Sequence, residues 1–217
     1  MRKLIFGKKY IQTADLNNSL FINNVATPVL MNGTVTRTTD HKGGNTAIKF
    51  GSGNLASVDN LPASPVWSVA FWIKTSQTAQ GFIIELTANF NNNIPAFLIW
   101  QNQFIANRFS VGYNQQGGQN MYGNCNTQIN DGNWHFITVI MNRNETMNNE
   151  LKIYVDKVLT SITYTSQYNT SGDFRTDKIY IGGRGNTFAI PLNGATSPIK
   201  MFNYPLTQTE INNLYNE

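Results

Sequence analysis

The run Asp131-Gly132-Asn133-Trp134-His135-Phe136-Ile137-Thr138-Val139-Ile140-Met141-Asn142 constrains this chain more than any other segment. A Gly-containing turn leads into a strand with a large side chain at nearly every position. Trp134, Phe136, Thr138 and Ile140 fall on one face, and His135, Ile137, Val139 and Met141 on the other, because side chains alternate along a pleated strand. Such a strand has almost no face to give to water, so it belongs at the centre of a sheet covered on both sides. After a polar loop, Leu151, Ile153 and Val155 alternate with Lys152, Tyr154 and Asp156, the pattern of a neighbouring strand with one face in the core. Together the two segments make a hairpin inside a two-sheet β-sandwich.

The same period of two places further strands at residues 20–23, 46–50, 66–74, 81–86, 96–101, 108–113, 162–164, 177–183 and 198–202. In residues 66–74 the alternation is strict, with Trp67, Val69, Phe71 and Ile73 on one side. Turn signals recur without long helical periods, which predicts an antiparallel sandwich or barrel. One helix is predicted at the end. Thr207 and Glu210 have the spacing of a capping box ahead of Ile211, Leu214 and Tyr215, so residues 208–215 form a helix that packs on the sandwich. A length of 217 residues suits one domain, with residues 1–40 as a basic arm and first strand leading into the sandwich of residues 41–217.

Polarity here comes from amides and hydroxyls: charged residues are 13% of the chain, about half the usual share, while there are 31 asparagines. The net charge is +4, but the basic residues are scattered except for Arg2, Lys3, Lys8 and Lys9. A stripe of basic and aromatic residues, which a nucleic-acid binder needs, is missing. The apolar run Leu4-Ile5-Phe6 is too short for a signal peptide, and no run reaches the ~20 residues of a membrane span. Cys125 is the single cysteine, which excludes an internal disulfide and fits folding in a reducing cytoplasm. With no base near it in sequence, it reads as a small residue in a polar loop rather than a reactive thiol. His41 and His135 make no metal-ligand cluster, no cofactor motif is present, and Gly182-Gly183-Arg184-Gly185-Asn186 reads as a tight loop rather than an anion nest.

An ordered set of motifs carries a family resemblance. Phe71-Trp72-Ile73-Lys74, Asp131-Gly132-Asn133-Trp134-His135, Lys152-Ile153-Tyr154-Val155-Asp156, Ile181-Gly182-Gly183, and Leu206-Thr207 with Glu210-Ile211 and Leu214-Tyr215 follow one another as in laminin-G-like domains. The chain thus resembles the concanavalin A-like lectin/glucanase superfamily over residues 40–217, with Gly44, Ala47 and Phe50 similar to its opening strand. The resemblance implies an all-β fold: an antiparallel two-sheet jelly-roll sandwich, with a short C-terminal helix and binding loops along one edge. Two departures stand out. Gly194-Ala195-Thr196-Ser197-Pro198-Ile199 supplies no carboxylate where the family has acidic residues, so no family-type calcium site is expected. Lys157 replaces the usual turn glycine, which predicts a bulged or longer turn, and Pro198 predicts an edge strand or bulge.

Superfamily glucanases cluster carboxylates on one strand, whereas Glu85 is a single acid on its own, so the chain is expected not to be an enzyme. Binding remains. Sugars need aromatic faces and planar amides, which the segment Tyr113, Asn114, Gln115, Gln116, Gln119, Asn120, Tyr122 and Asn124 offers, with residues 88–93 second. A basic terminus frays unless something holds it, and Arg2, Lys3, Leu4, Ile5, Phe6, Lys8 and Lys9 suit docking on an acidic, partly apolar protein surface. The expectation is a non-enzymatic bacteriophage virion module, in a capsid or tail, folded in the host cytoplasm and displaying a lectin-like face toward cell-surface polysaccharide. A free carbohydrate-binding lectin, cytoplasmic in location, is the alternative reading, and a glycoside hydrolase the third; a homo-oligomer fits any of them.

Overall fold

The computed structural model describes residues 10–15, 19–22, 25–27, 30–32, 36–58, 61–86, 96–102, 104–114, 120–168, 171–174, 178–185 and 189–217, with side chains from residue 36 onward except at 96 and 114. The predicted anchoring residues Arg2 to Lys9 lie outside them. Two antiparallel sheets face each other. In the front sheet, Trp134–Asn142 lies between Leu151–Val155 and Val66–Thr75, in unbroken register from Trp134 opposite Lys74 to Asn142 opposite Val66. The back sheet runs Ile162–Ser166, Asn120–Gln128, Arg108–Asn114, Ala96–Gln101, Gly81–Leu86, Ile179–Ile181, Leu55–Val58 and Leu30–Asn32.

The alternation read from sequence is the alternation of the core. Trp67, Val69, Phe71, Ile73, Ile137, Val139 and Met141 of the front sheet meet Phe97, Ile99, Phe109 and Val111 of the back sheet, all of them buried. Each large apolar side chain so buried stabilises the sandwich by about 1.5–3 kcal/mol. The opposite face of the central strands is covered too: Ala70, Trp72, Phe136 and Ile140 pack with Phe202, Leu206 and Ile211 beneath the C-terminal helix. This helix spans Gln208–Asn216, and the Thr207–Glu210 capping box is formed in both directions.

Pro198 sits at a break in the front sheet. Gly194–Thr196 and Lys200–Phe202 pair with opposite halves of the same edge of Val66–Thr75, leaving residues 197–199 between them. The ladder is mended there by Ser197. Its N–H donates to the Trp72 carbonyl at 2.9 Å, and its hydroxyl accepts from the Trp72 N–H at 2.9 Å, so the donor that proline lacks is not missed.

The hairpin turn after Val155 is not bulged or lengthened, contrary to the expectation from Lys157. Val155 pairs with Val158, and the two residues between, Asp156 and Lys157, both take positive φ, 50° and 73°. Tight primed turns of this kind match strand twist, but non-glycine residues enter them only with help. Asp156 Oδ1 accepts from the Phe136 N–H at 2.8 Å, and Oδ2 lies 2.8 Å from His135 Nδ1. Lys157 Nζ sits 4.1 Å from the centre of the Tyr215 ring, while its carbonyl accepts from Gln208 Nε2 at 3.0 Å. The helix and the turn hold one another.

One strand escaped the sequence reading. Asn120–Gln128 is a nine-residue strand, not a loop. Its inward positions are Met121 and Cys125, both fully buried, so Cys125 is a core residue rather than a loop residue. Burial raises the Cys125 thiol pKa, and its sulfur lies 3.4 Å from Thr160 Oγ1.

Candidate functional site

The predicted sugar-binding set divides between the two faces of the back sheet. Tyr113 and Asn124 are corrected: both side chains are sealed from solvent, Tyr113 on the core face of the sheet and Asn124, opposite Ser110, on the outer face. Tyr113 meets Phe174 edge-on at 5.5 Å and donates to the Glu150 carbonyl at 3.3 Å; burial drives its phenol pKa well up. Asn124 accepts from Ser110 Oγ at 2.6 Å and donates to the Thr163 carbonyl at 2.9 Å. Asn114 contributes a strand end paired with half-buried Asn120. Gln115, Gln116 and Gln119, and the second segment 88–93, lie outside the described residues. Tyr122 stands half-buried on the outer face.

That outer face carries an aromatic shelf the sequence reading missed. Leu98 and Trp100 alternate with the core residues Phe97 and Ile99, so their side chains stand on the other side of the sheet, with Phe82 and Tyr122. The Trp100 ring stacks on Phe82 at 6.0 Å and meets Tyr122 at 6.0 Å and Phe104 at 5.9 Å. Phe104 lies 5.2 Å from Tyr122 and is 42% exposed. The buried Trp100 Nε1 has no hydrogen-bond partner among the described residues. A side chain on the facing strand would destroy this arrangement: a Cβ on Gly112 would come within 2.4 Å of the Trp100 ring and 2.7 Å of the Tyr122 ring.

Phe104 is presented by a turn braced with amides. Asn102 and Asn107 flank it with φ of 56° and 61°, a conformation asparagine tolerates. Asn102 Nδ2 donates to the carbonyls of Gln77 and Ala79, both at 3.0 Å, and Asn130 Nδ2 donates to Asn107 Oδ1 at 2.9 Å. Three asparagines thus brace the turn that carries Phe104.

Glu85 lies on the same sheet face, 2% exposed, directly paired with Leu98 and Tyr180. The Gly185 N–H donates to Glu85 Oε2 at 2.9 Å, and Arg184 Nε lies 3.6 Å from Oε1. Burial raises the Glu85 pKa against the pull of Gly185 and Arg184. The Gly-rich loop at residues 182–185 therefore does hold an anion, and the anion is the chain's own carboxylate. Among the described residues no second carboxylate pairs with Glu85 across its strands. His135 is tied between Asp156 and Asp131, its Nε2 3.1 Å from Asp131 Oδ1, and His41 stacks on Trp72 at 4.1 Å. Among the described residues, no group of three His, Cys, Asp or Glu side chains is placed to hold a metal ion.

Comparison with known proteins gives this fold a family. The model described as Laminin_G_3, concanavalin A-like lectin/glucanases superfamily, matches residues 42–212. The chain belongs to that superfamily. Among solved structures, this laminin-G-like chain is similar to domain 4 of a GH43 extracellular arabinanase from Geobacillus stearothermophilus, in complex with arabinotriose. The TM-score is 0.70 at 16% identity, covering 96% of this chain and 98% of that one. It is similar also to the binding domain of botulinum neurotoxin DC in complex with SialylT, with TM-score 0.67 and 17% identity. That match covers 96% of the laminin-G-like chain and 51% of the toxin domain, about half its length. A heptameric SAP-like pentraxin from Limulus polyphemus follows, with TM-score 0.54 and 15% identity over 84% of this chain and 79% of that one. No curated protein matches.

Proposed function

We propose that the protein is a non-catalytic carbohydrate-binding module whose ligand stacks on Phe104 and Tyr122, the open edge of a shelf backed by Trp100. The observation that carries this reading is the position of Phe104: an exposed ring, held by a braced turn against two further rings, is a platform for the C–H face of a sugar. Complexes with arabinotriose and SialylT among the fold neighbours support it. Glu85 is a structural acid in this reading, since its oxygens are engaged by Arg184 and Gly185 and its cross-strand neighbours are Leu98 and Tyr180.

The test is a glycan array followed by titration of its neutral hits. Phe104→Ala, at an exposed turn position, should weaken each hit by about 3–10-fold, the scale of one aromatic contact, without changing stability. Equal binding by the variant removes the shelf reading. We propose further that residues 1–11 anchor the module on a protein partner in a virion, a reading supported by the charge and apolar pattern of Arg2, Lys3, Leu4, Ile5, Phe6, Lys8 and Lys9. Retention on the particle after deletion of residues 1–11 would end it.

A further inference from the structure

The front sheet carries a cleft that the aromatic shelf does not explain. It has a volume of about 530 Å³ and is lined by Thr38, Asp40, Lys49, Lys74, Trp134 and Ala195, among others. Its floor is built by register. Ala195 pairs with Lys49 on one side and Lys74 on the other, and Lys74 in turn pairs with Trp134. Residues directly opposite in adjacent strands point to the same face, so two lysines flank one small residue and an indole stands on the next strand. Strands lie ~4.8 Å apart, which sets the two lysine stems ~10 Å apart, close enough for both ammonium groups to converge on one anion.

The cations are uncompensated among the described residues. Lys49 and Lys74 are exposed and form no ion pair there. The one acid in the cleft wall, Asp40, is 8% exposed and turned into its own loop. Its carboxylate accepts from the backbone N–H groups of Lys42 at 2.8 Å and Gly44 at 2.9 Å, and from the Thr46 hydroxyl. Asp131, close to Trp134 in sequence, is likewise occupied by Asn133 and His135. At ~10 Å in water the two ammonium groups repel by only about 0.4 kcal/mol, so both are free to turn toward one anion.

We infer that this cleft binds the anionic group of an acidic sugar residue, with the ring lying against Trp134 and the Thr38 hydroxyl at its edge. An inorganic anion would need only the lysines; the half-buried indole beside them fits the C–H face of a pyranose. The site is separate from the aromatic shelf, on the other sheet, and stands or falls independently of it.

Isothermal titration with tetragalacturonate, its fully methyl-esterified form and a sulfated galactan tetrasaccharide tests this on the full chain. The acidic oligosaccharides should bind, with affinity falling as salt rises, and the methyl ester should not. Preference between the carboxylated and the sulfated probe identifies the anion. Both Lys49→Met and Lys74→Met keep the aliphatic stem at an exposed position, so the fold is retained; each should weaken binding at least fivefold and the double variant about 30-fold or more. Phe104→Ala should leave it unchanged. Equal binding of the ester, undiminished binding by the double variant, or no binding of either acidic probe at millimolar concentration would each overturn the proposal.

Discussion

Asp156 ties the turn of the hairpin back to the start of its Trp-led strand, and replacing it gives a sharp test. Asp156→Ala removes the acceptor of the Phe136 N–H and the partner of His135 Nδ1 at once. A hydrogen bond to a charged group contributes about 1.5–3 kcal/mol. The Asp156 side chain is 40% exposed, so the low end applies, because water replaces part of what is lost. Alanine at φ of 50° adds about 1 kcal/mol of backbone strain, the low end of the usual penalty, much of which aspartate avoids. The expected loss is about 2–3 kcal/mol, a fall in Tm of roughly 5–10 °C for a domain of this size. Asp156→Asn keeps the backbone preference and one acceptor, so it should lose about half as much.

The pH dependence follows from His135. Burial works against its charged form, but the hydrogen bonds to Asp156 and Asp131 outweigh burial and raise its pKa. A raised pKa stabilises the fold fully below the unfolded value of 6.5, and the contribution fades as pH climbs through the folded value. Asp131, lowered to about 2 first by its hydrogen bonds from Asn133, contributes above its unfolded 3.8 and loses that contribution only on acidification. The gap between the native protein and Asp156→Asn should therefore be wider near pH 5.5 than near pH 8.5. Urea denaturation at both pH values measures it. Equal losses for the Ala and Asn variants, or a gap that ignores pH, would refute this account of the turn.

Gly112→Ala should cost about 1–3 kcal/mol by overpacking and shift tryptophan emission, since the new methyl overlaps the Trp100 and Tyr122 rings; thermal melts and fluorescence report both. Cys125 should be inert to a thiol reagent in the native protein and react once urea unfolds it, because the side chain is fully buried and its pKa is raised. Thr207→Ala should remove about 1 kcal/mol of helix capping, seen as earlier hydrogen exchange in residues 208–216.

The strands at 66–75 and 134–142 were legible because every second side chain is large and apolar, and the helix was legible because a capping box is local chemistry. Asp156-Lys157 was misread for the opposite reason. The partners that make positive φ tolerable there, Phe136, Tyr215 and Gln208, are distant in sequence. Strand Asn120–Gln128 looked like a loop because its inward residues are small or few, and its outward amides are what the eye takes for solvent exposure. Tyr113 entered the binding set for another reason: it ends a strand that was read as one, and its alternation with Phe109 and Val111, which turns it inward, was outweighed by the amides that follow it. The shelf was hidden because Phe82, Trp100, Phe104 and Tyr122 come from three strands and a turn; a flat residue at Gly112 was the one local clue. The cleft joins residues 49, 74, 134 and 195, and only strand register brings them together.

Whether the aromatic face of the back sheet binds sugar is tested most directly by nuclear magnetic resonance during titration with a neutral oligosaccharide, arabinotriose first and then array hits. Shifts concentrated on the Phe104 and Tyr122 rings, with smaller ones on the Trp100 ring packed behind them, are the result expected. Binding that leaves those resonances in place, or no neutral oligosaccharide that moves them, would contradict it.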